Sequence, residues 1–123
     1  MTATITPDQA TRELGERWPA ALNDLDQFEQ MCSADCEVWH STDDKWVTVS
    51  QAVEDARRRV GGGEPNFEPR GVTYTENGFF NQAFIAVELM GNPMRLHVIQ
   101  IVDVKDGKAV RVQEYVGPEM PVE

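Results

Sequence analysis

The chain has 123 residues, 41% hydrophobic and 26% charged, and its 21 acidic against 11 basic side chains give a formal net charge of −10. That length suits one hydrophobic core, so a single domain over 1–123 is expected, with its core at about 8–117 and loose tails. The negative charge excludes nucleic-acid binding through phosphates, disfavours docking on anionic lipid, and makes a neutral or weakly polar ligand the easier guest.

After a polar N-terminus, Thr6-Pro7-Asp8 reads as a helix start, with Thr6 as cap and Pro7 in the first turn. Leu14, Trp18, Ala21 and Leu22 recur at helical spacing, and Pro19 inside that stripe predicts a kink or break near Trp18. Leu25, Phe28 and Met31 form the apolar face of a second short helix. Cys36 to His40 has strand character, with Val38 and His40 on one face and Glu37 and Trp39 on the other. A second extended piece spans Trp46 to Val49. Ser50 is then the expected cap of a third helix with apolar positions Ala52, Val53, Ala56 and Val60, ended by Gly61-Gly62-Gly63.

The remainder reads as a four-strand meander: Phe67 to Thr75, Phe79 to Met90, Arg95 to Val104 and Ala109 to Val116. Asn77-Gly78, Gly91-Asn92-Pro93 and Lys105-Asp106-Gly107 supply its turns. Helices first and long strands last is an α+β order. Cys32 and Cys36 are expected as reduced thiols at a helix end, because no secretory signal accompanies them, and the setting is expected to be cytoplasmic. A zinc site needs about four ligands, and neither His40 nor His97 completes a recognisable spacing with this pair, so no metal is expected. No apolar run approaches the ~20 residues of a membrane span.

Two stretches carry a family resemblance: Ser33-Ala34-Asp35-Cys36-Glu37-Val38-Trp39-His40, and Val102-Asp103-Val104-Lys105-Asp106-Gly107-Lys108 leading to Gln113-Glu114-Tyr115. The first is similar to the "A-D-D-x-x-x-x" lead into the first strand of the SnoaL-like and ketosteroid-isomerase-like superfamily, whose fold is that of nuclear transport factor 2. The second resembles that superfamily's "F-x-x-x-D-G-K-I" hairpin with its following acidic-aromatic pair. The resemblance covers roughly 8 to 117. It implies a cone-shaped α+β roll, with N-terminal helices on a curved antiparallel sheet around a pocket. It also implies one of several outcomes: isomerase, dehydratase, epoxide hydrolase, polyketide cyclase, or a non-catalytic binding or dimerisation module. Fold alone does not choose among them.

His40 leads the candidate catalytic residues. The resemblance puts it where the isomerases carry a carboxylate base and epoxide-hydrolase-like members a water-binding amide. An imidazole can move protons near neutral pH without the burial a carboxylate needs. The same ring could instead satisfy a local hydrogen bond at a strand end. Glu114 shares strand parity with Val112 and Val116, on the face the resemblance makes concave, where pairing with His40 would orient the ring. Otherwise it is a rim carboxylate in water. Gln100, between Val98 and Val102, falls where the isomerases hold a protonated acid, and its amide can donate to a developing oxyanion or serve as a buried structural group.

Trp18, Val38, Phe84, Val98 and Val112 are the expected pocket lining. His97 has the opposite parity to Gln100, on a convex face that, with Arg95, Arg111 and Tyr115, is expected to bury a homodimer interface. The departures are specific. The isomerases' first-helix tyrosine has no counterpart near Glu16 to Trp18. The dehydratases' paired histidines and helix acid are missing, and Phe84-Ile85-Ala86 lacks the epoxide hydrolases' Arg-x-Asp. The leading expectation is a cofactor-free lyase or isomerase on a small, largely apolar ring compound. The alternative is a non-catalytic ligand-binding or dimerisation module.

Overall fold

The computed structural model describes residues 5–119. In chain order the elements are α1 (Gln9–Ala21), α2 (Leu25–Gln30), β1 (Cys32–His40), β2 (Lys45–Thr48), α3 (Val49–Arg59), β3 (Phe67–Tyr74), β4 (Gly78–Leu89), β5 (Asn92–Lys105) and β6 (Lys108–Pro118). The strands form one open sheet in the order β2-β1-β6-β5-β4-β3. The α+β class holds, but the sheet is mixed rather than wholly antiparallel, because β1 and β6 run parallel. After α3 the chain begins its meander at the far edge and works inward. It meets β1 from the same direction, a pairing only a long crossover allows.

Local chemistry moves several boundaries. Asp8, not Thr6, caps α1: its carboxylate accepts from the Thr11 N–H at 2.7 Å, and that bond lowers the Asp8 pKa. Pro19 is carried in the last turn of α1 instead of ending it. Thr48, not Ser50, caps α3 by accepting from the Gln51 N–H at 3.1 Å, because the helix already starts at Val49. The turn between β4 and β5 is Met90-Gly91, both with positive φ, and Asp106-Gly107 repeats the arrangement between β5 and β6. Such two-residue turns match the twist of the strands they join. At the Asn77-Gly78 turn, a Cβ on Gly78 would collide with the Val102 carbonyl.

Strand β1 starts at Cys32, four residues before the expected Cys36. Five steps along β1, from Cys32 to Glu37, match only two along β6, from Ala109 to Arg111. The surplus bulges outward at Ser33–Asp35, where the Ser33 hydroxyl donates to the Asp35 carboxylate at 2.9 Å. The bulge leaves both thiols buried and unoxidised within the strand, not at a helix end. The hydrogen bond with Cys36, together with burial, pushes the Cys32 thiol up, and the same bond lowers Cys36.

Trp18 and Phe79 are fully buried, with ring centroids 5.3 Å apart; Phe28 meets Trp18 edge-on at 5.2 Å, and Met31 packs in the same cluster. These side chains close one end of the curved sheet. At the chain's other extreme, where a loose tail is expected after Gly117, the chain is still held at Pro118 and Glu119. Pro118 still pairs in β6, and Glu119 donates its N–H to the Arg95 carbonyl at 2.9 Å. Residues 1–4 and 120–123, where the remaining expectation of loose ends falls, lie outside the described residues.

Candidate active site

Strand register aligns the candidate groups. His40 lies opposite Glu114, Glu114 opposite Gln100, and Gln100 opposite Asn81, so four polar side chains from β1, β6, β5 and β4 form one row across the concave face. On one side the neighbouring row is Val38, Val112, Val102 and Phe79; on the other it includes Val116, Val98 and Ala83. A polar row between apolar rows has little water to bond to, so its members must satisfy each other or a ligand.

They meet in two pairs, with Asn81 Oδ1 left buried and without a partner among the described residues. His40 Nε2 stands 3.2 Å from Glu114 Oε2, and both side chains are largely shielded from solvent, at 8% and 14% exposure. The Glu114 carboxylate lies beside Nε2, and a neutral ring that holds its proton there keeps its lone pair on Nδ1. Ser41 clamps the strands beside this pair: its N–H donates to the Glu114 carbonyl at 2.9 Å, and its hydroxyl accepts from the Val116 N–H at 3.0 Å. In the second pair, Gln100 Oε1 accepts from Asn81 Nδ2 at 3.2 Å and also from the Trp18 indole N–H at 2.7 Å. With its oxygen so engaged, Gln100 has its NH₂ left for the cavity.

The cavity lies over this row toward the open end of the sheet, with a volume of about 220 Å³. His40, Gln100 and Glu114 line it together with Val38, Val98 and Val112. Helix α3 roofs it with Ala52, Val53 and Ala56, and the exposed Thr42 and Arg59 mark where it reaches the surface. Ligand sites are commonly this kind of apolar concavity with a few convergent polar groups. Two expected lining residues lie elsewhere. Trp18 stands behind Gln100 in the closed end and does not line the cavity. Phe84 has the opposite parity to Val98 and Gln100's partners, so it points to the convex face. There Arg95 stacks on it at 3.6 Å, and His97 meets it edge-on at 4.8 Å.

Asn81, the α3 roof, Thr42 and Arg59 went unread in the sequence. For Asn81 the missing signal was the Met90-Gly91 turn, since counting back from it places Asn81 opposite Gln100. On the convex face His97 is exposed and 3.2 Å from Glu119, while Trp39 and Tyr115 meet at a tilt of 58° with centroids 5.0 Å apart and Arg111 lies 4.3 Å above Trp46. Among the described residues, no three His, Cys, Asp or Glu are grouped to hold a metal ion, and no helix is long and apolar enough to cross a membrane.

No protein-family model and no curated protein matches the sequence. Solved structures do match in three dimensions. An NTF-2 like protein of unknown function from Burkholderia xenovorans LB400 superposes with a TM-score of 0.71 at 17% identity, covering 94% of this chain and 89% of its own. An NTF2-like protein from Anabaena variabilis ATCC 29413 gives 0.69 at 17% identity, covering 95% and 97%. An LEH-like epoxide hydrolase from M. tuberculosis gives 0.67 at 14% identity, covering 88% and 83%. The chain therefore has the NTF2-like α+β fold, and at these identities the likeness extends to the fold alone.

Proposed function

We propose that the protein is a lyase or isomerase working by acid–base chemistry on a small, largely apolar ring compound. Its side chains supply the chemistry without calling on a cofactor. His40 is the general base, Glu114 orients it, and Gln100 steadies the developing oxyanion. The observation that carries the reading is the His40–Glu114 contact of 3.2 Å on the wall of an apolar cavity that Gln100 also lines. An LEH-like epoxide hydrolase with the same fold supports small-molecule chemistry in such a cavity.

In the step envisaged, Nδ1 of His40 removes a proton from the carbon next to a ring carbonyl. The electron pair moves onto the carbonyl oxygen beside the Gln100 NH₂, and the Glu114 carboxylate stabilises the imidazolium. Where the ring also carries a β,γ double bond, return of the proton to the γ-carbon moves that double bond into conjugation; departure of a leaving group from the β-carbon makes the step an elimination. The probe reaction is exchange of the α-protons of 1-indanone in D₂O, followed by NMR. The protein should accelerate exchange, and His40→Ala should cut the acceleration by about 10²–10⁴-fold. Equal exchange by both proteins would remove His40 from the chemistry.

A non-catalytic binding module is the competing reading, and it shares the cavity, so turnover is what separates them. We also infer a homodimer through the convex face. There Tyr115 and Trp46 are 41% and 38% exposed, and contiguous exposed aromatics of this kind favour association. Light scattering at micromolar concentration should give twice the chain mass of 13.8 kDa, and a monomer would refute it.

A further inference from the structure

We propose that Trp18, outside the cavity, sets the hydrogen-bond polarity inside it, so that the ligand must offer an acceptor, such as a ring carbonyl, to Gln100. The inference rests on the cavity being a small-molecule site, and it adds a positioning residue and a ligand class.

The two amides alone leave the orientation undecided. Asn81 Nδ2 donates to Gln100 Oε1, and Asn81 Oδ1 is buried with no partner among the described residues. If both amides rotated by half a turn, Gln100 Nε2 would donate to Asn81 Oδ1, and the Asn81 NH₂ would take over the unpartnered place. Each arrangement has one hydrogen bond between the amides and one orphaned end on Asn81. The Gln100–Asn81 pair thus has no preference of its own, yet the two arrangements present opposite groups to the cavity, NH₂ in one and carbonyl oxygen in the other.

Trp18 breaks the tie. An indole N–H donates and cannot accept. Its nitrogen is 2.7 Å from Gln100 Oε1, and Trp18 is fully buried while Gln100 is 3% exposed, so no water relieves a mismatch. The rotated arrangement would set two donors against each other, which a dry site penalises heavily. Gln100 is therefore held with its oxygen inward and its NH₂ toward the cavity. A donor-only ligand finds no acceptor at that point, whereas a carbonyl finds a donor whose direction was fixed before binding.

The test reads the carbonyl stretch of bound 1-indanone, ¹³C-labelled at the carbonyl, by infrared difference spectroscopy. In the native protein a single band should lie to lower wavenumber than in hexane. In Gln100→Leu that band should be replaced by one at the unbonded position. Trp18→Phe removes the N–H and keeps an aromatic ring, and it should show both bands as the two amide orientations become populated. Met31→Leu perturbs the same packed end with the indole intact and should keep the native single band. If Trp18→Phe does not fold, replacing Trp18 by 3-benzothienylalanine keeps the shape, lacks the donor, and should give the same two bands.

A single shifted band in the protein lacking the donor would overturn the proposal. So would a shifted band that survives Gln100→Leu, or no saturable binding of 1-indanone at millimolar concentration. Failure of the acid–base reading looks different: 1-indanone binds with a shifted band, but its α-protons exchange no faster than in buffer.

Discussion

On the closed side of the His40–Glu114–Gln100–Asn81 row, Phe79 of β4 meets Trp18, with Met31 in the same cluster; on the open side lie Ala52, Val53 and Ala56 of α3. Both helices present an apolar stripe at helical spacing to the same curved sheet. The stripe of α1 carries an indole large enough to fill the space beneath it. The stripe of α3 is made of smaller side chains, Ala52, Val53 and Ala56, and the cavity lies beside them. The packed end and the cavity are thus separated along one sheet, and the polar row lies at the boundary.

Truncation at the closed end should have the largest effect on this contrast. Trp18→Ala deletes a fully buried indole and should lower the unfolding free energy by about 3–5 kcal/mol in denaturant titration. Enlargement at the open end should cost less: Val98→Phe adds a ring where about 220 Å³ is already empty. It should stay at the low end of the roughly 1–3 kcal/mol that an enlarged core side chain costs, while abolishing 1-indanone binding. A loss of stability as large as that of Trp18→Ala would mean the open end is packed as tightly as the closed one.

The smallest effect comes from the helix caps. Asp8, which caps the helix of the closed end, has a pKa lowered in the fold below its ordinary 3.8. Its contribution is therefore fully present above pH 3.8 and is lost as pH falls through the lower folded value. Thr48 caps α3 with a hydroxyl, which does not titrate in this range. Acidification below pH 3.8 should thus raise amide exchange at Thr11 before it does so at Gln51, and simultaneous loss would show that the caps do not act independently.

Much of the site could be read from single strands, and much of its geometry could not. Alternation alone puts Gln100 with Val98 and Val102, Glu114 with Val112 and Val116, and His40 with Val38, because the side-chain period of a strand is two. Which residue faces which is a property of two strands and of every irregularity between them. Counting back from the Asp106-Gly107 turn, where Lys105 faces Lys108, would set Gln100 against Gln113. A one-residue irregularity between Asp103 and Val104 shifts the register so that Gln100 meets Glu114 instead, and no residue type announces it.

Phe84 shows the same limit. It is expected in the cavity, but its pairing with His97 across β4 and β5 assigns it to the other face. Trp18 was correctly seen as buried, but its hydrogen bond to Gln100 joins residues 82 apart, beyond any local pattern.

The parallel pairing of β1 with β6 also constrains how the protein folds. The Ser41–Val116 bond beside His40 and Glu114 spans 75 residues, with α3 and three strands of the meander in between. Contacts of such separation form only after the entropy of closing the intervening loop has been met, so they depend on the meander being in place to guide β6. Hairpins β3–β4 and β4–β5 and the closed-end cluster can form while β1 and β2 are still unattached. In any such intermediate, His40 and Glu114 are strangers. Assembly of the His40–Glu114 pair is then a late event in folding, and under the proposed acid–base function a slow phase in the recovery of indanone exchange should trail the recovery of strand signal.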